Sequence, residues 1–349
     1  MAGPEPVQRR AALAELGGLA RVDVPLGPLT TYRVGGPAAL FVEAATVADL
    51  LLVARAVQAS GLPVLVVGRG SNLLVADAGF PGVAVTMAGG HFSTIELDVD
   101  LGGASAATGP LTHALVGVRA GAAVDMPVLA RRCAAAGLTG MEWAVGIPGS
   151  IGGAVRMNAG GHGADISATL RLCRSLDLTT GRLVERGGDE LAFGYRRSAI
   201  TSRDVVISAD FLLGRGDRAT SEATIREIVR WRREHQPGGQ NAGSVFTNPG
   251  GSPPRDSAGW LVEASGLKGY RLGTAMVSDK HANFIQADPG GSADDVVALM
   301  IELQRRVDEH FGVRLHAEVK LVGFDEGSVA ALAAEVPGGR DPTDARCRP

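Results

Sequence analysis

Residues 146–163 read Gly-Ile-Pro-Gly-Ser-Ile-Gly-Gly-Ala-Val-Arg-Met-Asn-Ala-Gly-Gly-His-Gly: seven glycines in eighteen positions, with Arg156 the one long charged side chain. Glycine permits φ > 0 and lets amide N–H groups approach a ligand with no Cβ in the way. Successive N–H groups exposed in such turns make an anion cradle suited to a diphosphate. A second loop of the same character, Gly68-Arg69-Gly70-Ser71-Asn72-Leu73-Leu74-Val75, follows the apolar run Val64-Leu65-Val66-Val67. Together the two loops predict one large phosphate-bearing cofactor held by main chain at two places.

The commoner nucleotide sites do not fit. Gly68-x-Gly70 is followed by Leu73 where a Rossmann fingerprint needs its third glycine, and it leads into a strand-like run rather than a helix. No G-x-x-x-x-G-K-[ST] occurs anywhere in the chain.

The elements that must carry these loops follow from local pattern. Residues 1–24 read as a loosely ordered lead with a short helix near 8–17. Thr46 is placed to cap a helix over 47–60, with Leu50, Leu51, Ala54 and Val57 at helical spacing. Strands are predicted over 62–67, 83–86, 116–124 and 205–213, and a helix over 128–136 that stops at Gly137. Residues 172–179 and 183–186 read as a hairpin through Thr180-Gly181. Gly214-Arg215-Gly216-Asp217 reads as a link to a second unit. There Ser221 caps a helix to about 235, whose arginines read as a solvated face, and Ser292 caps another to His310. Residues 313–322 read as a returning strand, and the Gly-, Pro- and Asp-rich tail after Asp325 as disordered. The irregular alternation of helices and strands predicts an α+β protein.

Composition narrows the function classes. The formal charge of −3 gives no basic field for nucleic acid. Cys133, Cys173 and Cys347 lie far apart with no C-x-x-C pair, and the seven histidines show no metal-binding spacing, so neither a disulfide framework nor a metal site is expected. No run of 18 apolar residues and no signal peptide are evident, which predicts a soluble cytoplasmic protein with no membrane partner. Against 31 arginines, only Lys268, Lys280 and Lys320 are lysine, all in the last third.

The two loops resemble the FAD diphosphate loops of the UDP-N-acetylenolpyruvoylglucosamine reductase family, within the wider vanillyl-alcohol-oxidase-type flavoproteins. The similarity continues, in the family's order, through Thr31-Tyr32-Arg33-Val34-Gly35-Gly36-Pro37-Ala38, Phe193-Gly194-Tyr195-Arg196-Arg197-Ser198, Asn241-Ala242-Gly243-Ser244-Val245-Phe246-Thr247-Asn248-Pro249, Ala258-Gly259-Trp260-Leu261, Ser278-Asp279-Lys280-His281-Ala282-Asn283-Phe284 and Ala317-Glu318-Val319. It covers roughly residues 25–323. The resemblance implies a two-lobed FAD-binding domain over 25–214 and a smaller α+β substrate-binding domain over 215–324. It implies non-covalent FAD, since loop 68–72 has no histidine to tether flavin, with NADPH as co-substrate and no obligate protein partner.

The reaction so implied reduces an enol ether beside a carboxylate. It needs a cation on the carboxylate, a proton donor to carbon, and an acidic group supporting the charge that develops. The resemblance assigns these roles to Arg196, Ser244 and Glu318. Around the cofactor it implies Tyr32, Val34, Gly35, Gly68, Arg69, Gly70, Ser71, Asn72, Leu73, Ile147, Pro148, Gly149, Ser150, Gly152, Gly153 and Ala154. Around the sugar nucleotide it implies Tyr195, Asn248, Lys268, Lys280, His281 and Asn283. The chain departs from the family at Thr247, where lysine is common, and over 234–240, so phosphate neutralisation falls to Lys280, Lys268 or an arginine of the 222–235 helix. A flavin oxidase and a non-enzymatic flavin protein are the competing readings. The missing tether disfavours the first, and the presence of all three of Arg196, Ser244 and Glu318 disfavours the second.

Overall fold

Strand Pro37–Ala44 sits at the centre of the first lobe because its apolar run serves two cores at once. Leu40 and Val42 point to one face and Phe41 to the other, as strand alternation requires. The sheet order is Ala20–Pro25, Pro37–Ala44, Phe80–Met87, Val64–Val66, with the first pair antiparallel and the others parallel. The computed structural model describes residues 4–101, 115–249 and 257–333. Helices α1 (Pro6–Leu16) and α2 (Val47–Ser60) cover one face. In α2, Thr46 Oγ1 accepts from Asp49 N at 3.2 Å and the Asp49 carboxylate accepts from Thr46 N at 2.9 Å, a capping box matching the expected start. The loosely ordered lead is corrected: Ala12 and Leu16 are buried against α2, and residues 20–25 form an edge strand.

The second lobe is an antiparallel sheet ordered Arg182–Gly187, Leu170–Asp177, Asp204–Arg215, Leu115–Gly121, Ile95–Val99. Against it pack α3 (Met126–Ala135), α4 (Ile151–Met157) and α5 (Arg218–His235). Helix α5, assigned from sequence to the second unit, places Ile225 and Ile228 in this lobe's core. Its cap is Asp217, whose carboxylate accepts from Thr220 N at 2.8 Å; Ser221, one turn later, instead donates to Glu142 at 2.6 Å.

The third unit sets α6 (Ala258–Ala264) and α7 (Ala293–Phe311) with a small sheet of Arg271–Leu272, Ala275–Val277 and Ile285–Ala287. Ser292 caps α7 as expected. Of the strand predicted over 313–322, only Lys320–Val322 forms. It finds its partner in the first lobe, parallel to Leu73–Val75 directly after the first glycine loop. The tail expectation is corrected over Glu326–Leu332, a helix (α8) that buries Leu332 and is held by Gln304 Nε2 on Ala331 O at 2.9 Å. Residues 334–349 lie outside the described residues. Asp77, from the first lobe, accepts from Ala293 N at 2.9 Å and Asp294 N at 3.3 Å, so one carboxylate ties the start of α7 to the flavin side.

Candidate active site

The two glycine loops touch. A Cβ on Gly68 would fall 2.4 Å from Ser150 Oγ, and one on Gly149 would fall 3.4 Å from Ser71 Oγ. They form one wall of a cavity of about 870 Å³, lined by Gly68, Arg69, Gly70, Ser71, Asn72, Leu73, Ile147, Pro148, Gly149, Ser150, Gly153 and Ala154. That volume lies in the range of cofactor sites. A Cβ on Gly153 would meet only Ser150 Oγ, at 3.9 Å, so a larger side chain there would occupy ligand space. A dinucleotide diphosphate fits this cradle of small residues.

Four residues expected at the cofactor stand behind the loops instead. Gly152 lies in the first turn of α4 and faces the sheet: its N–H donates to Ala122 O at 2.9 Å, and a Cβ would meet Ala122 Cβ at 3.1 Å. Tyr32 and Val34 are buried in the core with Leu74, Val245 and Phe246. Gly35, at φ 111°, abuts Val75 O so closely that a Cβ would fall 2.4 Å from it. Their segment braces the first loop from behind, where Thr31 N donates to Gly70 O at 3.3 Å. Loop 146–163 hides a helix because Ile151, Ala154 and Val155 have a sheet to pack on, a contact that no local pattern records.

The same cavity brings together Arg196, Ser244 and Glu318. Arg196 Nε donates to Glu318 Oε1 at 2.6 Å. Arg196 is a non-glycine residue at φ 55°, held in a tight turn by reciprocal main-chain bonds of Gly194 and Arg197 at 3.0 and 3.1 Å. Such a conformation costs about 1–3 kcal/mol and persists where the surroundings over-determine it. Here Asn158 Nδ2, donating to Gly194 O at 3.1 Å, is part of that frame.

Main chain fixes the other two. Val245, beside Ser244, donates its N–H to Asn283 O at 2.9 Å and accepts from Glu318 N at 2.8 Å. The Asn283 side chain clamps Phe246 at both ends, accepting from its N at 3.0 Å and donating to its O at 2.9 Å. Asn72 Nδ2 donates to Glu318 O at 3.2 Å, and Lys320 N donates to Asn72 O at 2.9 Å. The segment bearing Glu318 is therefore sewn to the diphosphate loop on one side and to the Ser244 loop on the other.

Burial raises the Glu318 carboxyl above its ordinary value, more than the charge and hydrogen bond of Arg196 and the charge of Lys320 lower it. Lys320, whose side chain still reaches solvent, is lowered by partial desolvation at the cavity wall, and the nearby Arg156 adds to this.

Of the expected sugar-nucleotide residues, Tyr195 alone stands beside the reaction group, 64 % exposed, with the Arg196 guanidinium 5.2 Å from its ring centre, on an adjoining recess that it shares with Arg196, Gly160 and Gly161. None of the six lines the cavity itself. Asn248 caps α6 by accepting from Ala258 N at 3.1 Å. Lys268 pairs with Glu263 at 2.7 Å, and Lys280 donates to the Arg233 carbonyl at the end of α5. His281 packs on Phe284, and Asn283 is buried. These side chains are spent on holding loops. The cavity instead includes Arg156, His162, Trp231, Arg232, Gln236, Phe284 and Lys320. Arg232 belongs to the face read as solvated, because the end of α5 reaches the cavity rim. Arg156 carried a signal, as the one long charge in the glycine run.

The family of the chain follows from its relatives. The UDP-N-acetylenolpyruvoylglucosamine reductase of Heliobacterium modesticaldum is 40 % identical over 310 residues, covering 87 % of this chain and 91 % of that one. This chain belongs to the same family. The reductase of Gloeobacter violaceus is also 40 % identical, over 86 % of this chain and 95 % of its own. Residues 38–185 match the family described as FAD binding domain, and residues 235–322 the one described as UDP-N-acetylenolpyruvoylglucosamine reductase, C-terminal domain. The crystal structure of the Thermus caldophilus reductase superposes with a TM-score of 0.69 at 34 % identity, over 87 % of this chain and 99 % of that one. The chain is thus an FAD-dependent oxidoreductase with an FAD-binding domain followed by a smaller α+β domain. No helix among the described residues is long and apolar enough to cross a membrane.

Proposed function

We propose that this protein reduces the enolpyruvyl group of UDP-N-acetylglucosamine enolpyruvate to UDP-N-acetylmuramate, with electrons from NADPH passed through FAD, as a cytoplasmic step of peptidoglycan precursor synthesis. The observation that carries this reading is the joint placement of Arg196, Ser244 and Glu318 on the cavity that the two glycine loops also line. Relatives over nearly the whole length of the chain bear the reductase name.

Bound FAD supplies the hydride for one olefinic carbon. The remaining work belongs to the chain. Arg196 takes the substrate carboxylate; with Nε committed to Glu318, its two Nη groups form the fork that such a carboxylate fits. That cation also stabilises the enolate charge that builds between hydride and proton delivery. Ser244 Oγ donates the proton to the second carbon, a role worth about 10²–10⁴-fold for a general acid. A serine hydroxyl is a weak acid, so its proton must be restored from a better one. Glu318, raised by burial, keeps a proton at its second carboxyl oxygen to higher pH than an ordinary glutamate. Tyr195 is the proposed sugar-nucleotide contact at the mouth. Asn248, His281 and Asn283 act one step removed, by shaping the loop that carries Ser244. In this reading the flavin side extends through α5, with residues 236–319 forming the substrate side.

The test is the visible spectrum of the purified protein under anaerobic conditions. NADPH should bleach the flavin, and the enolpyruvyl substrate should then restore its colour. Bleaching without restoration would remove the reductase reading while leaving a flavoprotein.

A further inference from the structure

Gln304 is the one polar side chain on the buried face of α7, among Val297, Met300, Leu303 and Val307. A buried amide needs partners, and those of Gln304 give a use to a helix that the chemistry above does not touch. Gln304 Nε2 donates to Leu315 O at 2.6 Å and to Ala331 O at 2.9 Å, which joins the approach to Glu318 to the end of α8. The last carbonyls of a helix have no partner inside it. At the end of α8 three successive carbonyls find theirs in one short stretch. Ala331 O also accepts from Arg314 Nη2 at 3.0 Å, Leu332 O accepts from Ala317 N at 2.8 Å, and Ala333 O accepts from His316 Nδ1 at 2.9 Å. A carbonyl can only accept, so His316 carries a proton on Nδ1.

The other side of that stretch meets the loop of Ser244. Thr247 N donates to His316 O at 2.9 Å, and Glu318 N to Val245 O at 2.8 Å. Residues 315–318 thus lie between α8 and the Ser244 loop, bonded to both. Beyond Glu318 the chain pairs Lys320–Val322 with the first lobe, turns at Asp325, which caps α8 by accepting from Ser328 N at 2.9 Å, and comes back to close on Ala317. Leu332, fully buried in one core with Leu303 and Leu315, anchors the return. We propose that α8 is a brace for the proton-delivering half of the reaction, with Gln304 and His316 as positioning residues that hold the Glu318 segment in register with the Ser244 loop. The proposal rests on the reductase reading above, in which Glu318 resupplies the proton of Ser244. Flavin reduction by NADPH uses neither group, so the brace acts in one half-reaction only. A displacement of about 1 Å at a group that must be precisely placed can cost on the order of 10²-fold in rate.

Stopped-flow of the two half-reactions in the full-length holoenzyme tests this, with flavin content matched first by release of FAD on denaturation. Gln304→Leu removes both amide bonds, and His316→Leu removes the bond to Ala333 from a partly exposed side chain, so it carries the test should Gln304→Leu fail to fold. Reoxidation by the enolpyruvyl substrate should slow roughly 10- to 100-fold in Gln304→Leu and roughly 3- to 10-fold in His316→Leu, while reduction by NADPH stays within about twofold of the wild type. His316→Asn, whose amide N–H donates from close to the position of Nδ1, should recover the wild-type rate. A loosened Glu318 is also better hydrated, which takes away part of what raises it. The pH above which reoxidation declines should therefore move down in Gln304→Leu. Equal slowing of both half-reactions, or unchanged rates in both leucine variants, would overturn the proposal, and so would a His316→Asn as slow as His316→Leu. A wild type that NADPH bleaches and the substrate does not reoxidise would overturn the reductase reading instead, a result that needs no variant and is separable from the others.

Discussion

Two carboxylates of this protein, Asp210 buried and Glu318 partly so, meet arginine and come to opposite ends. Asp210, on strand Asp204–Arg215, is gripped by Arg119 at both oxygens, 2.8 and 3.0 Å, and by Arg174 at 2.9 Å. Glu318 has one arginine contact, at 2.6 Å. Burial opposes ionisation at both and is the largest influence at each. At Asp210 the hydrogen bonds and charges of two guanidinium groups outweigh it, and the group lies below its ordinary value. At Glu318 a single guanidinium does not, and the group lies above. The number of guanidinium contacts decides whether a buried carboxylate is a fixed charge or a proton store. The fixed one sits in the second-lobe sheet, and the titratable one on the cavity wall.

The largest effects should come from the cavity side. Ser244→Ala should leave folding, FAD content and flavin reduction by NADPH unchanged, and slow reoxidation by the enolpyruvyl substrate about 10²–10⁴-fold. Stopped-flow of the two half-reactions checks this; equal slowing in both halves, or none in the second, would return Ser244 to the status of a turn residue. Ser244→Cys should restore part of the rate, since a thiol also donates a proton. Arg196→Lys breaks the comparison from the other partner. An ammonium cannot reproduce a planar fork shared between Glu318 and a substrate carboxylate. NADPH should still bleach the flavin of this variant, while substrate reoxidation falls by at least tenfold, and a wild-type rate would rule out the carboxylate role.

The sheet side should respond in stability. Asp210→Ala leaves two arginines on neighbouring strands without their shared acceptor. The expected loss is about 2–4 kcal/mol, below that of a fully buried pair because both arginines reach solvent. Denaturant unfolding measures it. Half-reaction rates in the folded fraction should remain near wild type, and a selective loss of substrate reoxidation would mean that the two carboxylates are coupled.

How much of this was legible follows the range of each contact. Thr46 and Ser292 cap their helices from a pattern three residues long, and the hairpin across Thr180-Gly181 needs no distant partner. The glycine loops announced a cradle because glycine's freedom is a local property. Arg196 and Glu318 are 122 residues apart, and no spacing rule joins them; only resemblance to a family did. The parallel pairing of Lys320–Val322 with Leu73–Val75 is equally invisible to local pattern, yet it sets Glu318 against the flavin loop. The direction in which a motif residue faces is set in the same way. Tyr32, Gly152 and Asn283 fall in the right motifs, but whether a motif residue faces the ligand or braces the loop depends on what packs behind it.

The smallest effect tests the comparison most directly, because the two carboxylates should push stability in opposite directions with pH. Asp210 binds its proton less tightly folded than unfolded. Its contribution is therefore complete above the ordinary aspartate value near 3.9, and is lost as pH falls through the lower folded value. Glu318 binds its proton more tightly folded than unfolded. Its contribution is complete below the ordinary glutamate value near 4.3, and is lost as pH rises from there through the higher folded value. Wherever Glu318 is ionised it is thus a net cost to folding, one that the cavity tolerates for its chemistry. Glu318→Gln should be at least as stable as the wild type at pH 7, while losing the capacity to resupply the proton of Ser244. Asp210→Asn should be less stable at pH 7, with that deficit shrinking under acid. Denaturant midpoints of both variants and the wild type between pH 3 and 8 decide it. If Glu318→Gln loses stability at pH 7 as Asp210→Asn does, Glu318 is a structural ion like its counterpart, and its place as the proton store falls.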